Sequence, residues 1–106
     1  MTKNRRANPL RASDFTKAFH KDWQRLWRSG RYVMTRLKNV MLLLIANDEP
    51  LGPEWRDHQL KGNWNGYREC HVGGDFLLIY RLDETVGKSG TVIFVRTGTH
   101  SELFGE

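Results

Sequence analysis

Apolar positions recur at helical spacing twice in the first half of the chain and at strand spacing in the second. Phe15, Phe19, Trp23, Leu26 and Trp27 form one stripe with the period of an amphipathic helix. Ser13 is a suitable N-cap for a helix beginning near Asp14, whose carboxylate suits the positive end of the helix dipole. Ser29-Gly30 ends this helix, with Gly30 as its left-handed cap. A second helix, roughly residues 32–46, buries Val33, Leu37, Val40, Met41 and Leu44. Asn47-Asp48-Glu49-Pro50 breaks it, and Pro53 keeps the next segment non-helical. Two helices on a short glycine link predict a helical hairpin.

After Pro53 the pattern changes. Residues 67–72, 76–81 and 92–97 are rich in β-branched and aromatic types and are separated by turn formers. They predict an antiparallel three-strand meander. Residues 57–62 add a strand or an extended loop, 9–12 a short edge strand, and 99–104 no more than a turn of helix. The fold class is therefore α+β, with the helical hairpin packed on a small antiparallel β-sheet. The Gly73-Gly74 turn has two readings. A two-residue hairpin pairs Val72 with Asp75 and sends His71 and Asp75 to opposite faces. A four-residue loop over 72–75 leaves Asp75 at the tip, near His71.

At 106 residues the chain has room for one domain, read here as 9–106, after a polar, basic, flexible tail at 1–8. The longest apolar run, 40–46, has seven residues; a membrane span needs about 20. Charged residues recur through Arg31, so no signal-peptide segment follows the basic N-terminus, and the expected location is the cytoplasm. The single cysteine makes no internal disulfide.

The net charge of +5 and pI near 9.7 point to a polyanionic partner. Its distribution says more. Residues 1–46 hold 11 Lys and Arg against 2 Asp and Glu, whereas residues 47–106 hold 6 against 10. The basic character belongs to the helical half alone. Lys17, Lys21, Arg25 and Arg28 lie within about 80° of one another on the first helix. A solvated face is the ordinary reading of such a stripe. Arg31 and Lys38 extend it onto the second helix, which favours an RNA- or ribosome-binding surface.

The candidate chemistry sits in the acidic half. His58, His71 and His100 fall near predicted strand ends or turns, where sites are commonly built. Each taken singly is more often structural. Arg96 ends a strand just before Thr97-Gly98-Thr99-His100; a guanidinium there suits a phosphate that gains charge, and an ordinary ion pair is an equal alternative. Phe104 is either a satellite core residue or a platform for a nucleobase. No metal or other cofactor is expected: adjacent Cys70 and His71 point to opposite strand faces, and no helical histidine pair supports zinc.

Two long motifs now stand out. The run 57–72 reads DHxLxGxWxGYRxxHV, and the run 96–105 reads RTGTHxxLFG. With 75–81 between them they resemble the YafQ branch of the RelE superfamily, over roughly 13–105. The resemblance implies a toxin of a type II toxin–antitoxin system. Its activity would be endoribonuclease cleavage of mRNA, typically on translating ribosomes, held in check by a cognate antitoxin protein. The implied functional positions are His58, His71, Asp75, His100 and Phe104, all present. Phe76 stands where a Trp is common in that branch, and the loop 83–90 is longer than expected.

Such residues can cut RNA without a metal. The RNA's own 2′-OH attacks the adjacent phosphate, one group takes its proton, and another protonates the leaving 5′-oxygen. Histidine, with an ordinary pKa of about 6.5, serves either role. On this reading His100 is the acid, His71 with Asp75 supplies or orients the base, His58 assists, Arg96 stabilises charge and Phe104 stacks on a base. Two alternatives compete: a non-catalytic toxin of the same fold such as a ParE-like gyrase inhibitor, and a basic nucleic-acid-binding module with structural histidines. The first has no need of three histidines; the second binds in a salt-sensitive way and never cuts.

Overall fold

The computed structural model describes residues 9–47, 49–85 and 89–105. The basic tail at 1–8 and the centre of the 83–90 loop lie outside them. The chain runs β1 (Ala12–Phe15), α1 (Lys17–Ser29), α2 (Met34–Ala46), β2 (His58–Gln59), β3 (Arg68–Gly73), β4 (Phe76–Asp83), β5 (Thr91–Thr99) and α3 (His100–Phe104). Single 3₁₀ turns occupy Pro53–Trp55 and Gly62–Trp64.

The strands make one sheet in the order β1-β5-β4-β3-β2. The expected meander forms, with β3, β4 and β5 antiparallel neighbours. The edge differs from expectation. β1 lies three residues later than the anticipated 9–12 strand and pairs parallel to β5, so the sheet is mixed. Thr16, not Ser13, caps α1, its hydroxyl accepting the Phe19 N–H at 3.0 Å. Phe15 consequently leaves the helical stripe for β1, where it is 55% exposed. Gly30 does adopt the left-handed cap, at φ 68°.

Both helices lie on one sheet face, α1 against β5 and α2 against β3. Phe19, Leu26, Leu37, Val40 and Leu44 meet Cys70, Val72, Leu78, Tyr80 and Phe94 in the main core. Burial pushes the Cys70 thiol up, so it stays protonated and inert. A smaller cluster covers the opposite face, where Leu77, Ile79 and Leu103 pack with Tyr67, Trp64 and Phe104. β4 is therefore buried on both sides through Tyr80, which explains its unbroken apolar run. Leu37→Ala, at the fully buried centre of α2, should cost about 2–5 kcal/mol by denaturant unfolding, the range for emptying a leucine site.

The glycine turn follows neither of its two readings. His71 pairs with Leu77 and Gly73 with Phe76, so a bulge absorbs Val72 and the tip is Gly74-Asp75. At the bulge the Val72 carbonyl accepts a hydrogen bond from outside the sheet. Arg36 Nε of α2 donates to it, while the Arg36 guanidinium lies 4.5 Å from the centre of the Trp55 ring. Among the described residues no helix is long and apolar enough to cross a membrane.

Candidate active site

Strand alternation puts every second residue on one face, so Glu69 and His71 of β3 project together. Register carries that face across the sheet. His58 pairs with Glu69, Glu69 with Ile79, and His71 with Leu77, placing all three beside the smaller cluster and away from the helices. His58 Nε2 lies 3.4 Å and His71 Nε2 3.6 Å from the same oxygen, Glu69 Oε2. Glu69 itself is only 5% exposed, and the two imidazoles sit 6.1 Å apart, centre to centre. His58 Nδ1 is 2.9 Å from the Arg56 carbonyl oxygen. A carbonyl only accepts, so Nδ1 carries the hydrogen, and Nε2 is where this ring gains or loses a proton.

Leu77 also pairs with Gly98 of β5, which brings the end of β5 across from His71. His100 opens α3 two residues later. Thr99 and Glu102 form a reciprocal capping box there: Thr99 Oγ1 accepts the Glu102 N–H at 3.2 Å, and Glu102 Oε1 accepts the Thr99 N–H at 2.8 Å. Asp75, at the β3–β4 tip, accepts the His100 backbone N–H at 3.2 Å. Its hydrogen bond thus ties the turn to His100. The Phe104 ring stands edge-on to His100 at 4.8 Å, and Trp64 braces Phe104 at 5.7 Å. Phe104 is half-buried in the smaller cluster and still borders His100.

Of the sequence-predicted residues, the fold brings His58 and His71 together and places His100, Asp75 and Phe104 at the neighbouring strand ends. Arg96 has a committed partner: its Nε donates to Asp22 Oδ2 at 2.7 Å and its Nη2 to Asp22 Oδ1 at 3.1 Å. That edge of the guanidinium is occupied, which leaves the Nη1 side for any phosphate. Arg25 is likewise drawn away from the basic stripe, toward Asp22 and Glu102, while Lys17, Lys21 and Arg28 remain exposed.

Glu69 is the site residue that the sequence reading missed. Its signal was the two-residue spacing to His71 on one strand. His58, Glu69 and His71 also place one ligand atom each within 4.8 Å of one another, a grouping suited to a metal ion. Strand spacing and cross-strand pairing supply here what no helical histidine pair did.

Residues 11–105 match the family described as the bacterial toxin of type II toxin–antitoxin system, YafQ. The chain belongs to the YafQ family of toxins. The mRNA interferase toxin YafQ of Escherichia coli strain K12 is 47% identical over 72 residues, 68% of this chain and 73% of that protein. Among solved structures, the E. coli DinJ–YafQ toxin–antitoxin complex superposes with a TM-score of 0.75 at 38% identity, over 91% of this chain and 99% of that one. A metal-bound toxin from Helicobacter pylori gives 0.77 at 37% identity, over 90% and 100%. The YafQ-like chains thus share the mixed sheet and helical hairpin across nearly their whole length.

Proposed function

We propose that this YafQ-family toxin cuts mRNA on translating ribosomes in the cytoplasm, by metal-independent attack of the RNA 2′-OH on the adjacent phosphate, and that a cognate antitoxin holds it inactive. The protein is an endoribonuclease of the mRNA interferase kind. The observation that carries the mechanism is the pair of imidazole Nε2 atoms facing one buried carboxylate oxygen, at 3.4 and 3.6 Å. Such a group accepts a proton and passes it on within one site.

On this reading Glu69 takes the 2′ proton, with His58 and His71 holding its carboxylate and exchanging protons through Nε2. His100 protonates the 5′-oxygen as it leaves. Asp75 fixes His100 by its backbone, Arg96 turns its outer edge to the phosphate, and Phe104 offers a ring face or edge to a base. The ribosome reading draws on the helical side. A groove lined by His20, Trp23, Gln24, Trp27, Arg28 and Lys38 sets a Trp27 that is 61% exposed among cationic side chains. An aromatic surface ringed by Lys and Arg suits unpaired RNA. Lys17 and Lys21 continue that positive face.

The test is translation in vitro with and without the toxin, followed by primer extension and analysis of the new ends. The expected products carry a 2′,3′-cyclic or 3′-phosphate and a 5′-OH, cut in register with codons. A 5′-phosphate end would sink the mechanism, and equal cutting of ribosome-free mRNA would sink the ribosome part.

A Helicobacter pylori toxin of this fold has been solved with metal bound. His58, Glu69 and His71 would hold a divalent ion here. An ion so placed would occupy the carboxylate and both Nε2 positions that proton transfer needs. Chelation should therefore leave cleavage intact, and added zinc or copper should inhibit it.

A further inference from the structure

We infer that Asp22 is a positioning residue of the nuclease, acting through Arg96 and Thr97 on the strand end that carries His100. The inference rests on His100 belonging to the site as read above.

Asp22 occupies a position where the helix pattern calls for an apolar residue. It lies between Phe19 and Leu26 on the buried face of α1 and is 2% exposed. A carboxylate there costs desolvation that a leucine would not. Its two oxygens nevertheless receive four donors. Arg96 supplies Nε at 2.7 Å and Nη2 at 3.1 Å, Arg25 supplies Nη1 at 2.8 Å, and the Thr97 backbone N–H lies at 3.1 Å. Burial alone would raise the Asp22 carboxyl, but the hydrogen bonds from Arg96, Arg25 and Thr97 outweigh it and hold the group below the usual carboxylate range.

These bonds have a direction. Two of the three donor residues, Arg96 and Thr97, are consecutive on β5 just before Gly98-Thr99-His100. The third, Arg25, reaches onward: its Nη2 donates to Glu102 Oε1 at 3.3 Å, the same oxygen that receives the Thr99 N–H. A single turn of α1 thus grips the segment 96–102 at both ends, with His100 between the grips. Thr97 is fixed from the other side as well, its hydroxyl donating to the Leu77 carbonyl at 2.8 Å. The network closes over Gly98, where a Cβ would stand 2.7 Å from Glu102 Oε1 and 3.0 Å from Arg25 Nη2 and would push those two side chains apart. Two acids and two arginines cancel in charge, so the device fixes geometry without adding net charge beside the histidine. It also orients Arg96, because the bidentate contact dictates which guanidinium edge remains for substrate.

Packing alone would be served as well by an apolar residue. The placement of the reacting groups would not, since small misalignments at a site cost large factors in rate. The experiment compares Asp22→Asn with the wild type in single-turnover cleavage of a ribosome-bound mRNA, at a temperature where circular dichroism shows both folded. The expected result is a rate lower by about 10-fold or more, with the half-saturating toxin concentration changed by less than about 3-fold. In an Arg96→Lys background, Asp22→Asn should add less than about 3-fold, because the two residues act as one unit.

A merely structural staple predicts otherwise: losses that multiply in the double variant and track the fraction unfolded. Either that pattern or an Asp22→Asn rate within about 2-fold of wild type overturns the inference. If Asp22→Asn does not fold, Arg25→Gln at a half-exposed side chain removes one of the four donors to Asp22 and the link to Glu102, and leaves the Arg96 and Thr97 bonds in place. It should slow cleavage by about 3-fold or more with the fold intact, and no change would overturn the proposal. His100→Ala in the same assay separates the two levels. Wild-type cleavage by that variant removes the site reading itself; its loss beside a fully active Asp22→Asn removes only the positioning role.

Discussion

His100→Ala should lower the cleavage rate by about 10²-fold or more, the usual loss on removing a general acid. The side chain is exposed, while its backbone is held by groups that the substitution spares. Asp75 accepts the N–H, the Thr99–Glu102 capping box starts the helix, and Leu103 anchors α3 in the smaller cluster. Stability should therefore move far less than activity, because α3 keeps its cap and its buried anchor. An activity loss so much larger than the stability loss assigns the effect to chemistry. The role can be isolated further. An RNA whose scissile 5′-oxygen is replaced by sulfur has a leaving group that needs no proton. The variant should cut that substrate nearly as well as the wild type does. An equal loss on both substrates would show that His100 does something other than protonate the leaving group.

The sequence-level reading found what local periodicity encodes. Leu26 on α1 and Leu37 and Val40 on α2 lie on the helix faces that the fold buries, and Gly30 closes α1 with a positive φ. Richness in β-branched and aromatic residues between turn formers located the three central strands, 67–72, 76–81 and 92–97, to within a few residues. The failures have physical causes of longer range. β1 pairs with a strand whose partner residues lie 79 positions later in the chain, as in Ala12 with Thr91, and no local pattern announces such a contact. Thr16 rather than Ser13 became the cap because the chain is extended until Phe15 by that pairing. The bulge at Val72 is supported by Arg36 from α2, a tertiary contact, so turn chemistry alone had no means to choose it.

The site divides in the same way. Motif resemblance supplied His58, His71, Asp75, His100 and Phe104. It was silent on the two buried acids. Asp22 sits inside an apolar stripe, and its burial follows from the same 100° spacing that buries Phe19 and Leu26. Charge arithmetic over the first 46 residues counted Arg25 as part of a binding stripe. Three-dimensional pairing with Asp22 and Glu102 makes it a structural cation. A count of charges along the chain gives a field, and only the fold says which of those charges are already spent.

Glu69→Gln should separate activity from stability more sharply than any other single change. Glutamine keeps the length and an acceptor oxygen but cannot take a proton near neutral pH. If Glu69 is the base, the rate should fall by about 10²–10⁴-fold with RNA binding preserved. Stability should not fall with it. The carboxylate is almost wholly excluded from water, and its described neighbours are two imidazoles at 3.4 and 3.6 Å, longer than strong charge-assisted hydrogen bonds. Replacing a charge so placed with a neutral group of the same shape removes a desolvation penalty, so the melting temperature should hold or rise. Opposite movement of rate and melting temperature is the mark of a residue kept for chemistry. Inhibition by zinc or copper should weaken in the same variant, because one of the three donors becomes a neutral amide. Should Glu69→Gln cut RNA within about 3-fold of the wild type, the proton must go directly to His58 or His71. Their separate alanine variants would then carry the loss assigned here to the carboxylate.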